Sequence, residues 1–351
     1  MKRSLVILPL LLGAGLFALV AAAGAQAPKP KVYTKGTQQM AGSNGLFGQT
    51  YTLVSADGFG PVNFTLISAE YSVERISMDQ GNLYAPKAGE KLLVIHYRLK
   101  NPNTADMYYS SRNLFQAVDS NNNTIQDSGT SRRASATQMV ADTMKPGQGI
   151  DDLVTYIVIP ASASIPKLIL QLGRAGSKDL VTRYFLGTPP NVVKPIPAPY
   201  ADPADKTGDT PLAQVPGTVG TTYSAGYFDF ALTSVAVAPG PLGSLTADDG
   251  KQFLVATVTA TNKSLAPHYY SQTLVPVLVT DDGKITDFSE LGANHDDPFQ
   301  GTQIDPGGTV TERLVLQYPK DNNLKTLSIA EAVDNSGGQS KAIVYDVSGV
   351  K

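Results

Sequence analysis

The stretch GEKLLVIHYRLKN at residues 89–101 has a counterpart, GKQFLVATVTATN, at residues 250–262. In both stretches, apolar residues alternate with residues that are mostly polar. A period of two is typical of a strand that buries one face. Both open at a glycine and end at an asparagine, a residue that tolerates turns. The pair therefore predicts equivalent antiparallel strands in two related domains.

The repeat extends outward from this stretch in both directions and keeps its order. Segments 47–51 and 64–68 precede the first strand as segments 219–223 and 230–234 precede the second, and a Pro-Gly turn follows each, at Pro146-Gly147 and at Pro306-Gly307. An Asp-Gly pair at Asp282-Gly283 adds a hairpin signal. Each copy contains about seven short strands and no helical period, which predicts an all-β protein of two tandem immunoglobulin-like antiparallel β-sandwiches.

The predicted domain organisation follows from these matches. It consists of a signal peptide (1–25), a flexible N-terminal lead (26–41), sandwich 1 (42–188, copy one), a Pro-rich linker (189–217, the connecting segment) and sandwich 2 (218–351, copy two). Closely spaced prolines favour an extended chain, so the connecting segment is interpreted as a semi-rigid spacer that holds the domains apart. The alternative is an ordered strap that lies along one domain.

The N-terminus has the order of a secretory signal: basic residues at 2–3, an apolar run at 5–20, and small residues with cleavage favoured after Ala25. A retained membrane anchor is the alternative, although the run is broken by Gly13 and Gly15 and a spanning helix needs about 20 apolar residues. The sequence thus predicts a secreted or periplasmic protein with no transmembrane segment after cleavage.

Composition excludes several kinds of chemistry. The chain contains no cysteine, which excludes a lipid-modified N-terminal cysteine, disulfides, thiolate metal sites and thiol nucleophiles. A net charge of −2 argues against a nucleic-acid partner. Copy one carries 13 basic and 12 acidic residues, whereas copy two carries 8 and 15. The acidic excess is either a solvated surface or a face for cations or a basic partner.

These motifs resemble the domain-of-unknown-function 4352 family of secreted bacterial immunoglobulin-like domains. The shared features are a glycine that opens an alternating strand ending at asparagine, a later Asp-x-x-Gly hairpin, and a Pro-Gly turn before a strand that ends in proline. Copy one departs from this pattern by Asn121-Asn122-Asn123 in place of the Asp-Gly hairpin and by an insertion around residues 54–63. The resemblance implies a fold and an envelope location, and it supplies no catalytic residues.

Metal binding has one candidate site, the loop residues His295, Asp296 and Asp297, because imidazole and carboxylate groups are common metal ligands. The matching loop of copy one is basic and contains Arg132 and Arg133. We therefore also consider that the basic loop and the acidic loop attract one another and direct the domains, or separate molecules, together. The alternative is that the two loops diverged in sequence without acquiring a role in binding.

The aromatic pairs Tyr108-Tyr109 and Tyr269-Tyr270 occur at matching places in the two copies. Neighbouring side chains of a strand point to opposite faces, so one tyrosine of each pair is predicted to enter the core while the other stays at the surface. A surface tyrosine can stack on a sugar or anchor a protein partner. Packing within the sandwich is the alternative for all four.

The sequence contains no nucleophile elbow, phosphate-binding glycine loop or zinc-protease motif. It therefore predicts a non-enzymatic, exported protein of the cell envelope that acts in binding or assembly, without a cofactor and with an envelope protein or glycan as partner. One alternative is a calcium or transition-metal carrier that uses the acidic second domain. Another is a passive structural spacer. The oligomeric state is not predicted.

Overall fold

A computed structural model describes residues 42–53, 61–77, 83–134, 138–172, 181–242, 245–269, 274–283, 285–287, 290–291, 303–333 and 338–351. The predicted signal peptide and lead lie outside these ranges. The described residues form β-sheets and no helix. None of them belongs to a helix that has the length and apolar character needed to cross a membrane.

Copy one folds as two five-stranded sheets. Its strands are β1 (Gly42–Asn44), β2 (Thr50–Leu53), β3 (Val62–Ser72), β4 (Ile76–Ser77), β5 (Leu83–Tyr84), β6 (Glu90–Lys100), β7 (Met107–Ser110), β8 (Phe115–Val118), β9 (Thr124–Gln126), β10 (Arg132–Arg133), β11 (Ala141–Met144), β12 (Gly149–Pro160), β13 (Lys167–Leu170) and β14 (Val181–Phe185). The sheet orders are β1-β14-β13-β8-β9 and β10-β12-β6-β3-β2, with small β7–β11 and β4–β5 pairs beside them.

Copy two repeats this arrangement. Its strands are β15 (Gln214–Gly217), β16 (Thr222–Ala225), β17 (Phe228–Ala238), β18 (Lys251–Asn262), β19 (His268–Tyr269), β20 (Leu274–Thr280), β21 (Ile285–Asp287), β22 (Glu290–Leu291), β23 (Gln303–Ile304), β24 (Thr309–Pro319), β25 (Leu324–Val333) and β26 (Gly338–Asp346). The orders β15-β26-β25-β20-β21 and β16-β17-β18-β24-β22, with the β19–β23 pair, match the five-stranded sheets and the β7–β11 pair of copy one. The β4–β5 pair has no counterpart among the described residues of copy two. The tandem sandwich prediction is confirmed.

The alternating strands lie at the centre of their sheets. In β6 the side chains of Leu93, Ile95 and Tyr97 are fully buried. In β18 the side chains of Leu254 and Ala256 are also fully buried. On the opposite face of β6, Leu92 and Val94 are buried in a second, smaller apolar cluster, and the later part of that face, from His96 to Lys100, reaches the surface. Each large apolar side chain removed from water contributes about 1.5–3 kcal/mol, so the core face of these strands holds each sandwich together.

The asparagines that end these strands perform the same task in both copies. The amide of Asn101 donates to the carbonyls of Ala105 at 2.9 Å and Met144 at 2.8 Å. The amide of Asn262 donates to Ala266 at 2.9 Å and Ile304 at 2.7 Å. Both asparagines are fully buried. They tie the strand end to the Pro-Gly turn, a role that a simple preference for turns does not reveal.

One of the two five-stranded sheets in each copy gains a parallel edge strand that the sequence pattern did not indicate. Strand β1 pairs in parallel with β14, and β15 pairs in parallel with β26. A Cβ atom on Gly45 would lie 2.5 Å from the ring of Tyr184, and one on Gly217 would lie 2.7 Å from the ring of Tyr345. Only glycine allows these rings to lie so close to the edge strand. Strand β15 is formed by the last residues of the connecting segment, which therefore belong to a sheet of copy two.

The connecting segment is an ordered strap, so its interpretation as a spacer that holds the domains apart is wrong. Lys194 pairs with β3, donating to the Ala69 carbonyl at 3.0 Å and accepting from the Tyr71 amide at 2.9 Å. Ile196 and Tyr200 are buried in an apolar cluster that also includes core residues of both copies. Apolar side chains along the segment outweigh the tendency of proline to keep the chain extended.

Candidate functional site

A polar cavity of about 320 Å³ lies on the outer face of the β10-β12-β6-β3-β2 sheet in copy one. We call it the Arg98 pocket. Arg98 and Lys100 project from the outward side of β6, opposite the buried Tyr97 and Leu99. The complete lining is Thr50, Asn63, Thr65, Arg98, Lys100, Gly147, Gly149 and Asp151.

Strand β12 shapes one wall of the Arg98 pocket. Gly149 pairs with Lys100, and a Cβ atom at this glycine would lie 2.7 Å from the Leu99 carbonyl oxygen. The pairing of β12 with β6 then shifts between Ile150 and Leu153, where β12 contains one extra residue. Such a bulge redirects side chains, and it lies beside Asp151, which lines the pocket. The wall therefore depends on a glycine and a bulge.

The pocket contains charges that the surrounding residues do not neutralise. Arg98 and Lys100 form no ion pair with another residue of the described part, and both are exposed. Asp151, on the neighbouring strand β12, supplies a negative charge to the lining. The hydroxyls of Thr50 and Thr65 share a hydrogen bond of 2.7 Å, and the Thr52 hydroxyl donates to Asn63 Oδ1 at 2.7 Å. The site thus offers two cations, one anion and neutral polar groups.

A second cluster of polar side chains lies further along the same sheet face. His96 Nε2 lies 3.3 Å from Glu70 Oε1, and Lys194 of the strap lies 3.7 Å from Glu70 Oε2. The hydrogen bond with His96, followed by the charges of His96 and Lys194, lowers the pKa of Glu70 although partial burial opposes this effect. Glu70 therefore stays ionised and fixes the strap to the sheet.

The tyrosine pair of copy one is split between core and surface, as the strand alternation predicts. Tyr109 is fully buried, and its hydroxyl lies 3.3 Å from that of Tyr97, whereas Tyr108 is 59% exposed. Burial raises the pKa of Tyr109. In copy two Tyr269 is half-buried, and Tyr270 lies outside the described residues. Tyr108 is thus the tyrosine of this pair that can meet a partner, and its binding role stays a prediction.

The two arginines of the basic loop bond to other residues of copy one. Arg133 forms ion pairs with Asp142 at 2.9 Å and with Asp152 at 3.4 Å. The guanidinium of Arg132 donates to the carbonyls of Arg133 and Ala134. Arg133 therefore directs its charge to copy one itself.

The proposed acidic partner and metal site, His295, Asp296 and Asp297, lies outside the described residues. Elsewhere in the described part, no group of three or more histidine, aspartate or glutamate side chains is placed to hold a metal ion. The aspartate-rich turns of copy two would be the places for calcium in a carrier that uses this domain. There Asp248 forms an ion pair with Lys251 at 2.7 Å, and Asp281 accepts a hydrogen bond from the Asn323 side-chain amide at 2.7 Å.

The copies meet through residues that sequence reasoning missed. The Arg75 guanidinium, after β3, donates to Ser224 Oγ at 2.7 Å and to the Phe228 carbonyl at 3.0 Å, and it pairs with Asp229 at 2.8 Å. The Arg75 side chain is only 11% exposed. In the strand register, Asp229 lies opposite Thr261, and Asn63 lies opposite Lys100 at the matching place in copy one. The position held by Asp229 and Asn63 is therefore polar in both copies.

We call the contact of Arg75 with Ser224, Phe228 and Asp229 the junction between the copies, and residues of the strap and of copy two add further bonds to it. The Tyr200 hydroxyl accepts from the Ser224 amide at 2.9 Å, and Lys341 Nζ lies 5.0 Å from the centre of the Tyr200 ring. Lys341 also donates to the Val73 carbonyl of copy one at 2.7 Å, and Lys91 of copy one donates to the Asp209 carbonyl of the strap. These contacts hold both sandwiches and the strap as one body.

The sequence did contain a signal for the Arg98 pocket. Within the outward-facing positions of the repeated strand, copy one has Arg98 and Lys100 where copy two has Thr259 and Thr261. A difference between two copies that otherwise share their pattern marks a position that the fold itself does not require. Arg75 gave no comparable signal, because its role exists only in the contact between copies.

Fold and site define a tandem immunoglobulin-like β-sandwich protein. Among solved structures, an uncharacterized beta-sandwich protein from Clostridium difficile 630 is 15% identical over 37% of this chain and 91% of that chain, with a TM-score of 0.28. A conserved hypothetical protein from Bacillus anthracis is 14% identical over 36% and 94%, with a TM-score of 0.26. The yjhA protein from Bacillus subtilis is 18% identical over 37% and 99%, with a TM-score of 0.26.

A comparison with curated proteins finds no match to this chain. The family described as Domain of unknown function (DUF4352) matches residues 217–340. This match confirms the family resemblance for copy two.

Proposed function

We propose that this protein is exported and acts in the cell envelope as a non-enzymatic binding or assembly protein. The observation that carries the proposal is the junction between the copies. Arg75 is nearly buried there and meets Ser224, Phe228 and Asp229, while the strap packs on both sandwiches. Outer faces held in a fixed relation suit a protein that docks on, or joins, other molecules.

The titratable groups with shifted pKa values support a structural use of charge. Asp127 accepts hydrogen bonds from the backbone amides of Leu114 and Phe115, both at 2.8 Å, and burial raises its pKa despite those bonds. Burial lowers the pKa of Lys91, whose ammonium lies 4.4 Å from the centre of the Tyr71 ring and bonds the strap. These groups hold strands and strap together and do not converge on a common point.

The test is fractionation of a bacterial host that expresses the whole chain with a C-terminal tag. We expect the mature protein to begin after Ala25, by mass spectrometry, and to co-purify with an envelope component after mild crosslinking. Arg75→Met, which breaks the junction, should reduce the recovered component several-fold, and Arg133→Met should not. A protein that keeps its N-terminus inside the cell, or that is recovered alone from the envelope, contradicts the proposal.

A further inference from the structure

We propose that the Arg98 pocket binds an oxyanion carried on a hydroxylated body, which is the chemistry of a polyol phosphate or a sugar acid. This inference deepens the proposed binding function and rests on it, because it names the class of ligand. It is carried by the charges of the pocket, its mixed polar lining, its size and the contrast with copy two.

The charges favour an anion. Arg98 and Lys100 lie two residues apart on the same face of β6, and neither forms an ion pair with a described residue. A guanidinium matches the paired oxygens of a carboxylate or phosphate, and a nearby ammonium adds a point charge. Gly149, opposite Lys100, has no side chain to block approach from β12. An oxyanion therefore finds two cations and an open wall.

The remaining lining groups favour hydroxyls next to that anion. Asp151 lines the same cavity and repels a bare anion, but it accepts hydrogen bonds from hydroxyl groups. Asn63, Thr50 and Thr65 offer amide and hydroxyl groups that can donate and accept. A ligand that carries several hydroxyls beside its charge satisfies Asp151 as well as the cations, and it offers the lining more hydrogen-bond donors than the one or two of inorganic phosphate at neutral pH.

The size agrees with a small polar unit. The cavity volume of about 320 Å³ lies at the lower end of the range for small-molecule sites, roughly 300–1,000 Å³. The exposed side chains of Arg98, Lys100 and Asp151 at its margin leave it open to solvent. One unit of a longer polymer can therefore enter while the rest of the polymer stays outside.

Copy two has neutral side chains at the matching places of its sheet face. Thr259 and Thr261 replace Arg98 and Lys100, and their hydroxyls bond those of Thr311 at 3.2 Å and Thr309 at 2.8 Å. The pairing of β18 with β24 shows no register shift. The fold thus tolerates threonine at both positions, and R98T/K100T is a substitution that one copy already contains.

The experiment titrates the whole chain, at low salt, with sn-glycerol 3-phosphate and with D-glucuronate by calorimetry. We expect saturable binding at one site, weakened about tenfold or more in R98T/K100T. The control K320T/K325T removes the same charge from exposed lysines of copy two and should bind as the wild type does. Urea unfolding of both variants shows that each remains folded.

Further probes separate the ligand sources. The affinities for sn-glycerol 3-phosphate and D-glucuronate show whether the pocket prefers a phosphate or a carboxylate. Sedimentation of the protein with phosphatidylglycerol vesicles but not with phosphatidylcholine vesicles identifies a lipid headgroup as the source. Asp151→Asn should strengthen binding of inorganic phosphate, because it removes the repelling charge. Equal binding by wild type and R98T/K100T, equal loss in K320T/K325T, or inorganic phosphate bound as tightly as glycerol 3-phosphate overturns the inference.

The outcomes also separate this inference from the proposed function. If R98T/K100T co-purifies with the envelope component and binds the small probes with the same affinity as the wild type, the ligand assignment fails and the proposed function stands. If the probes bind and depend on Arg98 and Lys100 but no envelope component is recovered, the proposed function fails and the pocket remains.

Discussion

The outer faces of the two copies differ, although their five-stranded sheets match strand for strand. On copy one, Arg98 and Lys100 border a cavity beside a bulge in β12. On copy two, threonines at 259, 261, 309 and 311 pair across β18 and β24 and leave the register unbroken. The shared features serve folding, and the differences show where the fold leaves positions available for binding.

The largest expected effect is a loss of stability at alkaline pH that begins in copy one. Burial is the main cause that raises the pKa of tyrosines in the described part, with six in copy one, one in the strap and two in copy two: Tyr71, Tyr84, Tyr97, Tyr109, Tyr156, Tyr184, Tyr200, Tyr318 and Tyr345. A raised folded pKa means stability that is complete below the unfolded value of about 10 and is lost above it.

Each such tyrosine should lower the free energy of unfolding by at most about 1.4 kcal/mol per pH unit, and only between about pH 10 and its own raised folded pKa. Urea unfolding from pH 8 to 11, with tyrosinate absorbance as the probe, measures this loss. Tyr184→Phe, which removes one of these groups from copy one, should reduce the slope. A free energy of unfolding that stays level up to pH 11 contradicts the prediction.

The strand-ending asparagines should show that the copies share one structural device. Asn101→Ala and Asn262→Ala each leave buried carbonyls without their donor, so each should lower the free energy of unfolding by about 3 kcal/mol. Urea unfolding measures both, and exposed Asn121→Ala is the control, expected within about 0.5 kcal/mol. A large loss in only one copy would show that the two asparagines are not equivalent.

The junction should couple the two copies. Arg75→Met leaves Asp229 without its closest cation and should cost about 2 kcal/mol. It should also split one unfolding transition into two in calorimetry. Arg133→Met removes ion pairs whose partners are about 40–45% exposed and should cost about 0.5 kcal/mol or less. Equal costs for the two variants would mean that the junction does not hold the copies together.

The smallest effect concerns one hairpin position. Asn122 has a φ of 66° where Gly283 of copy two has a φ of 76°. Asn122→Gly should therefore stabilise by about 0.5 kcal/mol, and Gly283→Ala should destabilise by about 1 kcal/mol. Thermal unfolding measures both changes. If Asn122→Gly is destabilising by 1 kcal/mol or more, backbone conformation is not what distinguishes the two hairpins.

Much of the fold could be predicted because it is encoded locally. The alternation at residues 89–101 and 250–262 indicates half-buried strands, and Asn122 in the turn of copy one takes the left-handed conformation that Gly283 takes in copy two. The parallel edge strands were missed because β1 and β15 are only three and four residues long and show no alternation that a pattern could detect. Gly45 and Gly217 mark them only once the rings of Tyr184 and Tyr345 are in place.

The candidate site could be predicted only in part. The split of Tyr108 and Tyr109 between surface and core follows from strand geometry, and the structure shows it. The attraction between the loop of Arg132 and Arg133 and the acidic loop stays a prediction, because residues 295–297 lie outside the described residues. The ion pairs of Arg133 with Asp142 and Asp152 could not be predicted by an argument based on matching loops.

The sequence by itself determined a duplicated, cysteine-free β unit, since periodicity, turn residues and composition act over a few neighbouring positions. Only the tertiary structure decided that the proline-rich segment is a strap, that Arg75 meets Asp229, and that Arg98 and Lys100 border a cavity. These features depend on residues brought together from distant parts of the chain, whose contact energies no local pattern records.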